Sequence, residues 1–409
     1  MAIAPGVSWL LFSLPLVMSA QVLITPSGSV PVAHSFAISP DAAPLNCHVT
    51  PTPPELDFAL RFHSGYVIDL PLSQFRGANH RARIFLNVTP AGGSPAHLVS
   101  RIFFPDMPVT ELYGEIKGDF IVGEGTYKVG AYVVDDLHRV CRAQWQIRAR
   151  RKAGERRVDL AIPPLSVAAE SMPPSAAQVT GSRQLPRLTV LLHAASVDPD
   201  AGKLRKSDIS ILTGSLSSLL RQLPAKTVSL VIFNLDQQAV LFRKEGFTES
   251  GLEGVTEVLK QEQLSLVNYA VLRQSRGGVA LLASLTMDAL RDSAGGGTLV
   301  FLGPHVRFQD PVPSGFGNRS HCLSRTFYLQ YRPPMTLARV GAEPAVSNSV
   351  YNADPLVYLS PSDEEVLTPR DAPDSIEQVV KSLKGEVMVM RRPSDLAGAI
   401  EHIRSRSPQ

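Results

Sequence analysis

Nearly continuous apolar runs of strand length, set among helical stripes, constrain the C-terminal half of this chain more than any other feature. Val228 to Phe233 and Leu299 to Leu302 are apolar nearly throughout, which is what a strand needs when both faces of its sheet are covered. Just ahead of the first run, Ile209, Leu212, Leu216, Leu219, Leu220 and Leu223 recur at helical spacing, so one side of that helix is expected against a sheet. Leu252, Val255, Val258 and Leu259 repeat the pattern, as do Leu281, Leu282, Leu285 and Leu290, with Gly295-Gly296-Gly297 ending the helix. In such open sheets ligands bind beyond the carboxyl ends of the strands, and a site is sought there.

Six pieces of this half occur in a telling order: Leu188 to His193, Leu223 to Asn234, Gln238 to Arg243, Gly277-Gly278-Val279, Thr298 to Leu302, and Gly385 to Met390 followed by Arg391 to Ile400. In that order they resemble the von Willebrand factor A domain, in the bacterial envelope branch where an all-β domain comes first. The resemblance covers roughly 186–409, with a poorly matched stretch from about 305 to 374. It implies a doubly wound α/β sheet, with Gln238 to Arg243 as a short antiparallel edge strand. Members of that family hold a divalent cation with an Asp-x-Ser-x-Ser run, a Thr and a second Asp. The matching positions here are His193, Ala195 and Val197, then Val279, then Gly303 or Pro304, and a one-residue shift recovers only Ser196. Hard cations require oxygen ligands, so the resemblance implies a degenerate site with neither metal nor cofactor. Asp198-Pro199-Asp200 reads as an acidic turn. What remains is a candidate binding rim of His193, Ser196, Asp198, Asp200, Asn234, Asp236, Gly278, Val279 and His305.

The N-terminal part has a different texture. Leu56 to Phe62, Tyr66 to Leu70, Ala82 to Val88, Leu98 to Phe104 and the segment from Thr126 onward are rich in β-branched and aromatic residues. Ser64-Gly65, Ala91 to Pro95, Gly123 to Gly125 and Asp135-Asp136 read as turns between them. The expectation is an immunoglobulin-like β-sandwich over 21–150 with Trp145 in its core, a linker over 151–185, and the A-like domain over 186–409. Cys47 and Cys141 bracket the sandwich and are the candidate disulfide, leaving Cys322 alone.

The 409 residues suffice for two domains, and a formal charge of +3 gives no electrostatic case for nucleic acid. The basic run Arg148 to Arg157 contains no aromatic residue for base stacking and reads as a solvated strand end. Val7 to Met18 is apolar, too short to span a bilayer, and precedes Ser19-Ala20, so 1–20 is expected to be a secretory signal despite lacking Lys or Arg ahead of the run. No stable membrane span is expected after its removal, which places the chain in a secreted or periplasmic compartment. Gly-x-Ser-x-Gly, His-Glu-x-x-His, a phosphate loop and Cys-x-x-Cys are all absent. The functional expectation is an exported, non-catalytic binder of a protein or other envelope macromolecule. A structural spacer and a hydrolase built on His193 or Cys322 are the alternatives.

Overall fold

The computed structural model describes residues 41–77, 79–106, 111–169, 184–198, 201–262, 277–292, 296–306, 312, 325–332 and 374–406, and the backbone of 17–18 and 22–24. The chain divides into two compact units. The first comprises Met1–Leu56, Arg61–Arg151 and Ile162–Pro174; the second comprises Asp57–Leu60, Lys152–Ala161 and Ser175–Gln409.

The first unit holds two antiparallel sheets. One contains β1 (Val17–Met18), β2 (Val22–Ile24), β5 (Arg81–Pro90), β6 (Ala96–Phe103), β8 (Gly125–Asp135) and β9 (Val140–Ala149), in the order β1-β6-β5-β8-β9 with β2 also on β6. The other runs β10 (Val167–Ala169), β7 (Tyr113–Val122), β4 (Phe62–Pro71), β3 (His48–Leu56). Alternation supplies the inner faces: Ala82, Ile84, Leu86 and Val88 of β5 are buried, as are Tyr127, Val129, Ala131 and Val133 of β8. Opposite them Tyr66, Ile68 and Leu70 of β4 and Ile116 and Phe120 of β7 are buried. Each of the buried Ile, Leu, Val and Phe side chains among them contributes roughly 1.5–3 kcal/mol. The Tyr127 hydroxyl donates to the Gly123 carbonyl at 2.9 Å, fixing the entry to β8.

Several local expectations change. Ser64-Gly65 lies inside β4 rather than in a turn: a Cβ on Gly65 would come within 2.5 Å of the Gly118 carbonyl, so the glycine marks a close backbone approach. Leu56 to Phe62 is not one strand: Leu56 ends β3, Phe62 opens β4, and 57–61 turn between them, with Leu60 at φ 59°. Trp145 is half-buried, its ring 6.5 Å from Tyr66 of the facing sheet. The stretch 151–185 carries structure of its own: Ala153–Glu155 is a 3-10 turn and Val167–Ala169 pairs with β7.

In the second unit the sheet order is β13 (Ala239–Glu245), β12 (Ala225–Asn234), β11 (Leu185–His193), β14 (Thr298–Pro304), β15 (Arg325–Tyr331), β16 (Glu386–Met390). All pairs are parallel except β12 with β13. Leu188, Val190 and Leu192 of β11 pack with α1 (Lys206–Gln222), α2 (Leu252–Gln261) and α5 (Pro393–Arg406). Leu191, Phe233 and Phe301 point the other way, toward α3 (Gly277–Asp292) and α4 (Ser375–Ser382). The helix α1 stops where the Leu223 N–H returns to the Leu219 carbonyl and Pro224 follows. Phe58, in the 57–60 turn, belongs to the same core and meets Tyr331 edge-on at 5.3 Å.

The fold class expected from the sequence is therefore corrected. Strand exceeds helix among the described residues, 44% to 27%, and the sheets are two antiparallel and one mixed. The chain is mostly β, and its assignment to a doubly wound, von Willebrand factor A-like α/β class behind an immunoglobulin-like domain is not retained. Apolar runs report that strands are buried; they do not report how much of the chain goes into antiparallel sheet.

Cys47 and Cys141 are joined with their Cα atoms 6.0 Å apart, tying the entry of β3 to β9 across 94 residues. Closing a loop of that size constrains the unfolded chain by roughly 4–5 kcal/mol. Cys141→Ser should lower the urea midpoint of the first unit by that equivalent while leaving the transition of the second in place, as followed by Trp145 fluorescence and far-UV circular dichroism; an unchanged midpoint would refute the assignment.

Candidate functional site

Three adjacent strands end in one row on the α3/α4 side of the mixed sheet. Leu192 pairs with Leu302 and Gly303 pairs with Gln330, so His193, Gly303 and Gln330 follow one another across β11, β14 and β15. A Cβ on Gly303 would stand 2.8 Å from the His193 Cβ, so only glycine lets the imidazole occupy this place. His193 is buried, and its ring lies 5.3 Å from that of Phe233. Its Nε2 accepts the Leu235 N–H at 3.3 Å, which leaves the proton on Nδ1. Burial pushes its pKa down to about 4, opposed in part by the charge of Asp374, so the ring is neutral at pH 7.

Asp374 is the organising group of this end. Its side chain is fully buried and caps α4, with Oδ1 accepting the Ile376 N–H at 2.8 Å and the Glu377 N–H at 3.2 Å. Oδ2 takes the Val306 N–H at 3.0 Å and Gln330 Nε2 at 2.8 Å, lies 3.0 Å from the Tyr328 hydroxyl, and lies 3.3 Å from His305 Nδ1. Burial alone would raise this carboxyl, but hydrogen bonds from His305, the Val306 N–H, Gln330 and the Glu377 N–H hold it below the ordinary range. His305 Nδ1 also faces Arg332 at 3.2 Å.

A second buried carboxylate governs the loop after β11. Asp208, in the first turn of α1, accepts from Ser196 Oγ at 2.9 Å, from the Val197 N–H at 3.2 Å and from the Arg205 N–H at 3.0 Å. Ser196 Oγ in turn accepts the Asp198 N–H at 3.1 Å, and Asp198 pairs with Arg205 at 2.5 Å. Asn234 closes the neighbouring strand end, donating to the Ala194 carbonyl at 2.8 Å and accepting the Gln237 N–H at 2.9 Å.

The candidate rim residues thus separate by environment. His193 and Asn234 are buried; Gly278 and Val279 are buried in the first turn of α3, where Gly278 faces the Leu235 carbonyl. Ser196 and Asp198 are half-exposed and committed to the loop network, His305 is half-buried beside Asp374, and Asp236 is exposed. Asp200 and Cys322 lie outside the described residues. Among the described residues no group of three or more His, Cys, Asp or Glu is placed to hold a metal ion. Sequence reasoning missed Asp208, Asp374, Tyr328 and Gln330. Asp374-Ser375-Ile376-Glu377 does carry a helix-start pattern, an acidic cap followed three residues later by Glu, that pointed to the cap.

No family model matches this chain, and no curated protein matches it. Solved structures similar to it include the periplasmic chaperone SfaE, at 12% identity over 35% of this chain and 66% of that one, with a TM-score of 0.15. A glycosyl hydrolase family 2 member from Bacteroides cellulosilyticus DSM 14838 shares 8% identity over 71% of this chain and 37% of its own, with a TM-score of 0.19. A Bacteroides uniformis beta-glucuronidase is 8% identical over 70% of this chain and 36% of its own, again with a TM-score of 0.19. The chain spans less than two thirds of each, and overlaps this slight carry no inference about what it does.

Because the folded-state pKa of Asp374 is depressed, its contribution to stability is complete above the ordinary carboxylate range, near pH 4, and is lost as pH falls through the folded value. Asp374→Ala strands the Val306, Ile376 and Gln330 donors and should cost on the order of 3 kcal/mol at pH 7. Urea unfolding at pH 7 and pH 3 tests both points. The gap between wild type and variant should narrow at pH 3, and a gap independent of pH would show that the carboxylate is not the cause.

Proposed function

We propose that this protein is an exported, non-catalytic binding protein whose contact surface is the carboxyl-end rim of its mixed sheet. Its partner is a protein or another envelope macromolecule, and the contact is metal-independent. The observation that carries the reading is the inward commitment of the charged groups at this end: Asp374 and Asp208 are each saturated by backbone and side-chain donors of the chain itself. A carboxylate whose lone pairs are already occupied is a poor ligand for a cation and a poor general base. His193, buried and neutral with a pKa of about 4, is likewise a weak base at pH 7. What these groups achieve is a fixed rim, with Asp236 left exposed on it and Asp198 held at its edge by Arg205. Pre-organised loops of this sort bind at a lower ordering cost. Export is supported by the apolar run Val7 to Met18 and the small residues after it.

Affinity capture from an envelope extract with the full chain as bait tests the reading. Capture should persist in EDTA and fall about tenfold, one factor of 1.4 kcal/mol, for Asp236→Lys. Loss of capture in EDTA would make the contact metal-dependent. Undiminished capture by both Asp236→Lys and Asp198→Lys would place the interface elsewhere and favour the spacer.

A further inference from the structure

A formal charge of +3 conceals how the first unit sorts its charged side chains. Side chains alternate along β5, β6, β8 and β9, and Ile84, Leu98, Val129 and Ile147 are buried in the core, so their neighbours on each strand face outward. The register sets Arg83 of β5 directly opposite Arg101 of β6, with Arg81 one step along. Arg142 of β9 lies opposite Tyr132 of β8, and Lys128 of β8 is diagonal to Arg148 of β9. All six cations are exposed, and none of the outward positions of these four strands is Asp or Glu.

The opposite sheet has the reverse character. Its outward face presents Glu55 of β3, Asp69 of β4, and Glu115 and Asp119 of β7, while its Lys117 is paired with Glu115 at 2.9 Å. Cations thus collect on one sheet and carboxylates on the other, which leaves the positive field of the first sheet undiluted. Like charges set directly across a strand pair are destabilising, and the Arg83–Arg101 pair retains that cost. A bound anion offsets it. Four strands at the usual spacing span about 14 Å, so the cations are spread over an open surface rather than focused on one point.

The residue types on this face indicate the chemistry of its ligand. Five of the six cations are arginine, whose planar fork takes carboxylate oxygens in pairs. Among them stand Asn87, Gln144 and Gln146, whose amides both donate to and accept from hydroxyl groups. Nucleic acid bases would have little to stack on: Phe85 is 7% exposed, Tyr132 is half-buried, and the Phe103 ring is covered by Arg81 at 5.5 Å. We infer that the outward face of β6-β5-β8-β9 binds an acidic polysaccharide, with the arginines and Lys128 on its carboxylates and the amides on its hydroxyls. The inference concerns the first unit and does not rest on the rim of the mixed sheet.

Binding of the full chain to immobilised polygalacturonate, neutral dextran and single-stranded DNA tests it. Polygalacturonate should bind most tightly, weaken with added salt, and lose about tenfold in affinity when Arg83→Glu and Lys128→Glu are combined. Lys203→Glu with Lys244→Glu makes the same change in net charge at exposed positions of the second unit and should leave affinity within about twofold. Arg83→Gln with Lys128→Gln removes the cations without adding anions, and its smaller loss should remain measurable even if the reversals disturb the sheet. No binding to polygalacturonate, equal loss in the two pairs of reversals, or tighter binding of dextran or DNA overturns the inference. Salt-sensitive self-association without glycan binding, abolished by Arg83→Glu with Lys128→Glu, would also overturn it and give the face to the acidic sheet of a second copy.

Discussion

A carboxylate removed from water costs several kcal/mol unless donors replace its hydration shell, and the carboxyl end of the mixed sheet is arranged around meeting that condition for Asp374. Its two oxygens join the first turn of α4 to the segment after β14 and to Gln330 of β15. Elements that are distant in sequence are thereby held at one point. Asp208 performs the same service on the other side of β11, where it and Arg205 anchor the loop from Ser196 to Asp198. Between the two lie His193 and Gly303, whose close approach leaves no room for a side chain. The fixed shape of the strand ends follows from these two buried carboxylates.

Much of the second unit was legible in its sequence because burial on both faces leaves a simple record. The runs at Val228 to Phe233 and Leu299 to Leu302 fall in β12 and β14, and the stripe from Ile209 to Leu219 falls in α1. The class of the whole chain was misjudged for a reason internal to the same signal. Order and apolarity describe six strands well, whereas the weight of the two antiparallel sheets lies in half-buried segments whose pattern is weaker. Gly65 shows how a single residue misleads: glycine reads as a turn, but here it lets β4 approach Gly118 and Asp119 of β7. The site was less legible still. An aspartate before a helix is ordinarily a surface cap, and nothing local reports that Asp374 is buried among β14, β15 and α4. His193 was visible as a strand-end histidine, but its depth depends on Gly303 and Leu235, which lie far from it in sequence.

The two units distribute their polar bonding differently. In the first, a disulfide and an Arg139–Asp135 pair stiffen an end that keeps large apolar side chains exposed. In the second, buried carboxylates stiffen the carboxyl ends of the strands.

The state of His193 tests the account of the strand ends most directly, because its depression to about pH 4 requires its burial away from water, against the opposing charge of Asp374. Nitrogen-15 and carbon-13 NMR of the histidine-labelled chain, titrated from pH 8 downward, reads its protonation and tautomer together. The account predicts a neutral ring with the proton on Nδ1 down to about pH 4. A ring that protonates near the ordinary value of about 6.5, or that carries its proton on Nε2, would mean that this end is open to water, and the claim of a closed, pre-organised rim would fail.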